Sequence, residues 1–183
     1  MIRVAEFEKV SFEQWSKDVR ELFESLRIDT GYSPDGYYSR VNISVQKEDY
    51  DNIKLPERAT RGSAGHDITI PYDTTIEPKG LIKIPTGLRC KIDDGYVMMI
   101  YPRSSLGTRS HMFISNTIPV VDSDYYNADN EGHIFIQIEN RGHRKLVLDS
   151  GDTFAQAVFV PFGVADTEEV RDVRVGGFGS TGR

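Results

Sequence analysis

After about Tyr38 the chain repeats one pattern: short apolar runs of alternating character, separated by proline and glycine. Val41, Ile43 and Val45 form one such run, Leu88, Cys90 and Ile92 a second, Ile134, Ile136 and Ile138 a third, and residues 155–160 a fourth. Period two places alternate side chains on opposite faces of a strand, so the pattern predicts an all-β sandwich or barrel of many short strands. Only one segment departs from it. In residues 11–26, Phe12, Trp15, Val19, Leu22, Phe23 and Leu26 recur at spacings of three and four, which predicts an amphipathic helix. Ser11 and Gln14 are spaced as a capping box at its start. A loop-like stretch, Gly31-Tyr32-Ser33-Pro34-Asp35-Gly36, puts a boundary between an N-terminal helical extension, residues 1–38, and a β domain, residues 39–183. The helix is expected to pack its Trp15 face onto that domain.

The 183 residues suffice for one ordinary core, and 28 acidic against 22 basic side chains leave a net charge of −6. That balance argues against tracking a nucleic-acid backbone by counterion release, so a charged substrate needs a local site. Cys90 is the one cysteine, expected as a buried strand residue. No apolar stretch approaches membrane-spanning length, and a soluble, cytoplasmic protein without a membrane partner is expected.

Several loops carry polar side chains suited to phosphate or water chemistry. Tyr101-Pro102-Arg103-Ser104-Ser105-Leu106-Gly107 gathers a guanidinium, two hydroxyls and small-residue amides, which suits phosphate oxygens and equally a serine-capped surface loop. Asp122 and Tyr125 follow the apolar run Ile118-Pro119-Val120-Val121. A carboxylate there either takes a proton from water or closes an Asx turn. Gln156 is a polar side chain within an apolar strand, satisfied by backbone or by ligand. The glycine-rich end, about residues 174–183, keeps Phe178, Ser180 and Thr181. It is either an idle tail or a flexible flap whose ring stacks on a base, worth about 1–3 kcal/mol.

Taken in order, Ser63-Ala64-Gly65-His66-Asp67-Ile68, Pro102-Arg103-Ser104-Ser105-Leu106-Gly107, Val121-Asp122-Ser123-Asp124-Tyr125, Gly151-Asp152-Thr153-Phe154-Ala155-Gln156 and Gly177-Phe178-Gly179-Ser180-Thr181-Gly182 resemble the five motifs of the trimeric dUTPase family. The resemblance implies a jelly-roll-like β barrel and a homotrimer whose active sites are shared between subunits. It implies a dUTP diphosphatase, yielding dUMP and pyrophosphate by in-line attack of water on the α-phosphate, with Mg²⁺ bound through the substrate phosphates. By the same resemblance Asp122 activates the water, Tyr125 packs under the deoxyribose and Asn116 helps recognise uracil. Arg103, Ser104, Ser105, Gly107 and Gln156 would hold the triphosphate. Phe178 would stack on the base, with Gly179, Ser180 and Thr181 at the terminal phosphate and Asp67 as outer-shell support for the hydrated metal.

The pattern also departs from the family. His66 stands for a usual tyrosine, Pro119 for a glycine, and Val173 for the last motif's arginine, which leaves Arg174, or Arg171, for the phosphate. Residues 126–130 are an insert, expected to lengthen a surface loop near the site. The similar dCTP deaminases would need a glutamate where this chain has Gln137, and a non-catalytic binding module would not need Asp122. His133 and His143 are expected at exposed positions with no metal role.

Overall fold

A computed structural model describes residues 2–29 and 47–167. The expected run at 41–45, the loop at 31–36, the boundary at 38 and the tail with Arg171, Arg174, Phe178, Gly179, Ser180 and Thr181 lie outside the described residues.

Among the described residues strands dominate, and they pair antiparallel in four sheets. The largest joins β2 (Glu57–Arg58), β3 (His66–Thr69), β12 (Thr153–Pro161), β7 (Tyr96–Pro102) and β9 (Val120–Val121) in that order. A second joins β5 (Leu81–Pro85), β10 (Phe135–Asn140) and β8 (Met112–Ile114). Two smaller ladders pair β11 (Leu146–Leu148) with β4 (Thr74–Ile76), and β1 (Ala5–Lys9) with β6 (Leu88–Ile92). Alternation sets their faces as expected. Leu88, Cys90 and Ile92 turn inward from β6, and Ile136 and Ile138 from β10, joining one hydrophobic core. Burial pushes the Cys90 thiol up to about 12.

The extension is more than a helix. Its first strand, β1, pairs with β6 so that Phe7 lies opposite Cys90. In sequence this strand is masked by Glu6, Glu8 and Lys9 around a single aromatic, too little alternation to read. Helix α1 (Phe12–Asp29) follows at once. Trp15 and Val19 are fully buried, and Phe12 and Leu22 pack against the core. The Trp15 indole donates to the Pro85 carbonyl at 3.2 Å, so the expected docking face is the one used. Two short helices, α2 (Lys47–Asp51) and α3 (Ser104–Arg109), complete the regular structure with a 3₁₀ turn, Ser123–Asn127.

Only half of the expected capping box forms. The Ser11 hydroxyl accepts the Gln14 amide N–H at 3.1 Å, but the Gln14 side chain donates onward to Asp18 at 2.9 Å. Glu131 closes the box from far along the chain. Its carboxylate accepts the Ser11 N–H and hydroxyl, each at 2.7 Å.

Trp15→Ala removes a fully enclosed indole together with its hydrogen bond. A loss of about 3–5 kcal/mol is expected from the cavity, readable as a lowered urea midpoint.

Candidate active site

Strand β12 brings three of the sequence motifs together. Gln156 lies opposite Asp67 on β3 and opposite Tyr101 on β7. Directly opposed residues share a face, and Ala155 and Ala157, both fully buried, point the other way. Asp67, Gln156 and Tyr101 therefore share the outer face. Just past β7, Arg103, Ser104 and Ser105 are exposed at the start of α3, and the Arg103 N–H is anchored on the Phe154 carbonyl at 3.1 Å. The first-turn amides of a helix lack intrahelical acceptors, so this turn offers donors beside the guanidinium. Gly107 follows on the same short helix, half-buried.

Gln156 has a backbone partner. Its Nε2 donates to the Pro102 carbonyl, but at 3.4 Å, a long bond. On its other side the amide oxygen presses on Gly65, where an added Cβ would fall 2.2 Å away. The side chain is thus held by a close backbone approach and a weak hydrogen bond, which leaves its amide available to a better partner.

Asn116 is exposed in the connection between β8 and β9. Its carbonyl accepts the Ile118 N–H at 2.8 Å, and Thr117 takes a φ of 67°. Strand β8 pairs with β10 while β9 pairs with β7, so the two arms are bonded outward to different sheets rather than to each other. Pro119 costs the hairpin a donor, but its carbonyl still accepts the Ile100 N–H at 3.0 Å. The Ser115 hydroxyl is buried in this hairpin without a hydrogen-bond partner among the described residues. No pattern in the sequence singles it out.

Asp122 is exposed, with extended backbone at the entry to the 3₁₀ turn. Tyr125, expected under a sugar, is only 2% exposed. Its hydroxyl donates to the His133 carbonyl at 2.7 Å and accepts from Asn130 at 2.9 Å. These two bonds tie its hydroxyl to the segment that follows it.

Asp122 and the phosphate-type donors are far apart within one chain. Val121 lies opposite Met98, which sets Asp122 level with Val97. At about 3.3 Å per residue, Gln156 at Tyr101 is about 13 Å further along and Arg103 about 20 Å. A cavity of about 490 Å³ lies elsewhere, lined by Arg109, His111, His143, Arg144 and Lys145 among others, and His143 is exposed as expected. Among the described residues no group of three or more His, Cys, Asp or Glu side chains is arranged to hold a metal, and no helix is long and apolar enough to cross a membrane.

The dUTPase family profile matches residues 51–182. The chain belongs to the dUTPase family. It is 40% identical over 141 residues to the deoxyuridine 5'-triphosphate nucleotidohydrolase of Lactococcus lactis subsp. lactis, covering 75% of this chain and 94% of the relative. With that of Paraburkholderia phytofirmans it shares 38% over 138 residues, 71% and 90% of the two chains. The crystal structure of dUTPase from Streptococcus mutans superposes with a TM-score of 0.59 at 36% identity, covering 63% of this chain and 91% of that one. The dUTPase from phage phi11 of S. aureus, 23% identical, superposes at 0.57 and shares the fold.

His133 contradicts the exposed position expected of it: it is fully buried. Its Nε2 accepts the Gly87 N–H at 2.8 Å, so Nδ1 carries the proton and donates to Asp18 at 2.5 Å. Burial pushes the imidazole down, ahead of the opposing pull of Asp18. At Asp18 burial pushes the carboxyl up, but the hydrogen bonds from His133 and Gln14 outweigh it and hold the group below its ordinary value. Glu131 is lowered in the same way, its Ser11 bonds outweighing burial. A signal for Asp18 exists in the sequence, because it stands three residues after Trp15 and four before Leu22, on the buried stripe. The insert is likewise less of a surface loop than expected. Ala128 is buried, and the Tyr126 hydroxyl donates to Glu8 at 2.8 Å.

All three shifts are downward, so the unfolded chain binds more protons than the folded one. The stability they confer is complete above the ordinary imidazole value and is lost as pH falls through the imidazole and then the carboxylate range. The melting temperature is expected to hold from pH 8 to about 7 and to fall progressively below about 6.5. Asp18→Asn is expected to flatten the lower part of that slope.

Proposed function

We propose that the chain hydrolyses dUTP to dUMP and pyrophosphate, with Asp122 as the general base. The observation that carries this reading is an exposed carboxylate in the family's third motif, at the end of a hairpin whose arms are bonded outward. Arms that do not pair with each other leave inward-facing backbone groups for the edge of a base, and the unpartnered Ser115 hydroxyl beside Asn116 adds to them. Uracil's carbonyls and N–H suit such a slot, and the hairpin's width discriminates against a 5-methyl group. Shape alone gives about 10–200-fold per methylene-sized difference, so the backbone bonds carry much of the selection.

In the reaction, water attacks the α-phosphorus while Asp122 takes its proton, and the bond to the bridging oxygen of the β-phosphate breaks to release pyrophosphate. Arg103, the first-turn amides and hydroxyls of Ser104 and Ser105, Gly107 and Gln156 neutralise and align the phosphates. Arg174, with Phe178, Gly179, Ser180 and Thr181, would close over the nucleotide. The donor set suits a hydrated Mg²⁺ carried by the phosphates: Asp67, half-buried beside Gln156, would support the hydrated ion. When bound, the ion supplies charge neutralisation on the triphosphate.

Asp122 and Arg103 stand about 20 Å apart along β7, longer than a triphosphate reaches, which supports a site that takes Asp122 from one subunit and Arg103 and Gln156 from another. A homotrimer accounts for this. The outer face of the large sheet supports it too, for Val158, Met99 and Val120 lie in register across three strands and Val120 is 48% exposed.

The test is pyrophosphate release from dUTP, dCTP, UTP and dTTP, with and without Mg²⁺. Release from dUTP alone, dependent on Mg²⁺, is expected; ammonia release from dCTP would overturn the reading. Asp122→Asn should lower kcat by about 10²–10⁴, the usual share of a general base. Neither Asp122→Asn nor Arg103→Ala should be active alone. Co-refolding the two should restore roughly a quarter of the sites if random trimers pair neighbouring subunits.

Gly65→Ala tests the placement of Gln156. The new methyl displaces its amide from the Pro102 carbonyl, and the expected outcome is a raised KM for dUTP with an unchanged far-UV circular dichroism spectrum.

A further inference from the structure

The residues that follow Asp122 are bonded, link by link, to the N-terminal extension. The Asp122 carbonyl accepts the Tyr125 N–H at 3.2 Å. Tyr125 donates through its hydroxyl to the His133 carbonyl, and Asn130 donates to both of these oxygens, at 2.9 and 3.2 Å. Gly132, at a φ of 68°, lets the segment fold back so tightly that an added Cβ would meet the Tyr125 carbonyl and Tyr126 at 2.8 Å. The outer end of this knot is then fastened three times. His133 donates to Asp18 of α1, Glu131 accepts twice from Ser11 at the start of α1, and Tyr126 donates to Glu8 of β1. Arg89 on β6 covers the Tyr126 ring at 3.7 Å and donates to its carbonyl at 3.0 Å.

We propose that α1 is a positioning brace for the catalytic turn, with Asp18 and Ser11 holding Asp122 in place through His133, Glu131 and Tyr125. The proposal rests on the hydrolytic reading of Asp122 above. Two further observations support it. The family profile begins at residue 51, so α1 lies outside the part that the family profile matches. Residues 126–130, which the family resemblance sets apart as an insert, begin within the turn itself. A longer connection has more conformations to lose when its ends are fixed, and the side-chain bonds from the extension fall on Tyr126, Glu131 and His133, within and just beyond that insert. Insert and brace therefore compensate each other: the loop would loosen Asp122, and α1 ties it down.

A brace differs from a mere stabiliser in what its loss does to the rate of a chain that stays folded. Displacing a catalytic group by about an ångström costs up to about 10²-fold in rate. In the full-length protein, Asp18→Ala is expected to lower kcat for dUTP by about tenfold or more while KM changes by less than about twofold, the mark of an interaction felt in the transition state. Assays run well below the melting temperature, with circular dichroism and subunit stoichiometry matching the wild type. Asp18→Asn keeps an oxygen to accept from the His133 Nδ1–H, and it should recover most of the loss. Ser11→Ala, a milder change at the helix start, should show a smaller fall in kcat with the same split, and it carries the test should Asp18→Ala not fold. If both folded alanine variants keep kcat within about twofold of wild type, whatever their melting temperatures, the brace is disproved and the hydrolytic reading stands. A wild-type protein that releases no pyrophosphate from dUTP would remove both.

Discussion

The register of strand β12 is the constraint on which the site side of the molecule depends. Its central partners are both antiparallel, β3 on one edge and β7 on the other. Because side chains alternate, a slip of one residue would send Gln156 into the core and turn Ala155 and Ala157 outward. That register also sets Asp67 beside Gln156 and delivers the chain after β7 to Arg103. The irregularity between Thr153 and Ala155 falls where β12 enters the sheet, next to the Phe154 carbonyl that anchors Arg103. A strand with buried alanines on one face packs closely against the core. Its other face is left to carry the polar group.

Much of this was legible in the chain itself. Alternation at 88–92 and 134–138 gave strands with the right faces inward, and the spacing of Phe12, Trp15, Val19 and Leu22 gave both α1 and the face it buries. The order of five weak motifs pointed to the family that the comparisons bear out. What was not legible depends on contacts distant in sequence. The capping of Ser11 by Glu131 spans 120 positions, and nothing local marks it. His133 looked like a surface residue because its partner, Asp18, lies on a different element. Tyr125 reads as a ligand-facing ring until the Asn130 and His133 bonds around its hydroxyl are known. Strand β1 fails for a simpler reason: one aromatic between charged neighbours is too short a pattern.

The extension is docked by aromatic packing and polar bonds together. Phe12, Trp15, Tyr50 and Tyr72 stack in tilted and edge contacts with centroids 5.5–6.4 Å apart, and the Tyr50 hydroxyl donates to the Val10 carbonyl at 2.7 Å. Lys9 and Lys47 approach the Tyr50 ring at 5.2 and 4.8 Å, so cations cover the aromatic faces that would otherwise meet water. Apolar burial supplies the bulk of the attachment. The buried Asp18–His133 pair adds direction, because a carboxylate there needs the His133 N–H beside that of Gln14. Non-directional packing holds the helix on, and the pair fixes its rotation.

Cys90 gives this arrangement a built-in reporter. Its sulfur is enclosed opposite Phe7 on β1, with its ionisation suppressed by burial, and the protonated thiol is a poor nucleophile. Alkylating reagents should therefore label it only when β1 lifts from β6. Under conditions where global unfolding is slower, the labelling rate measures how often the N-terminal strand detaches, without any engineered probe.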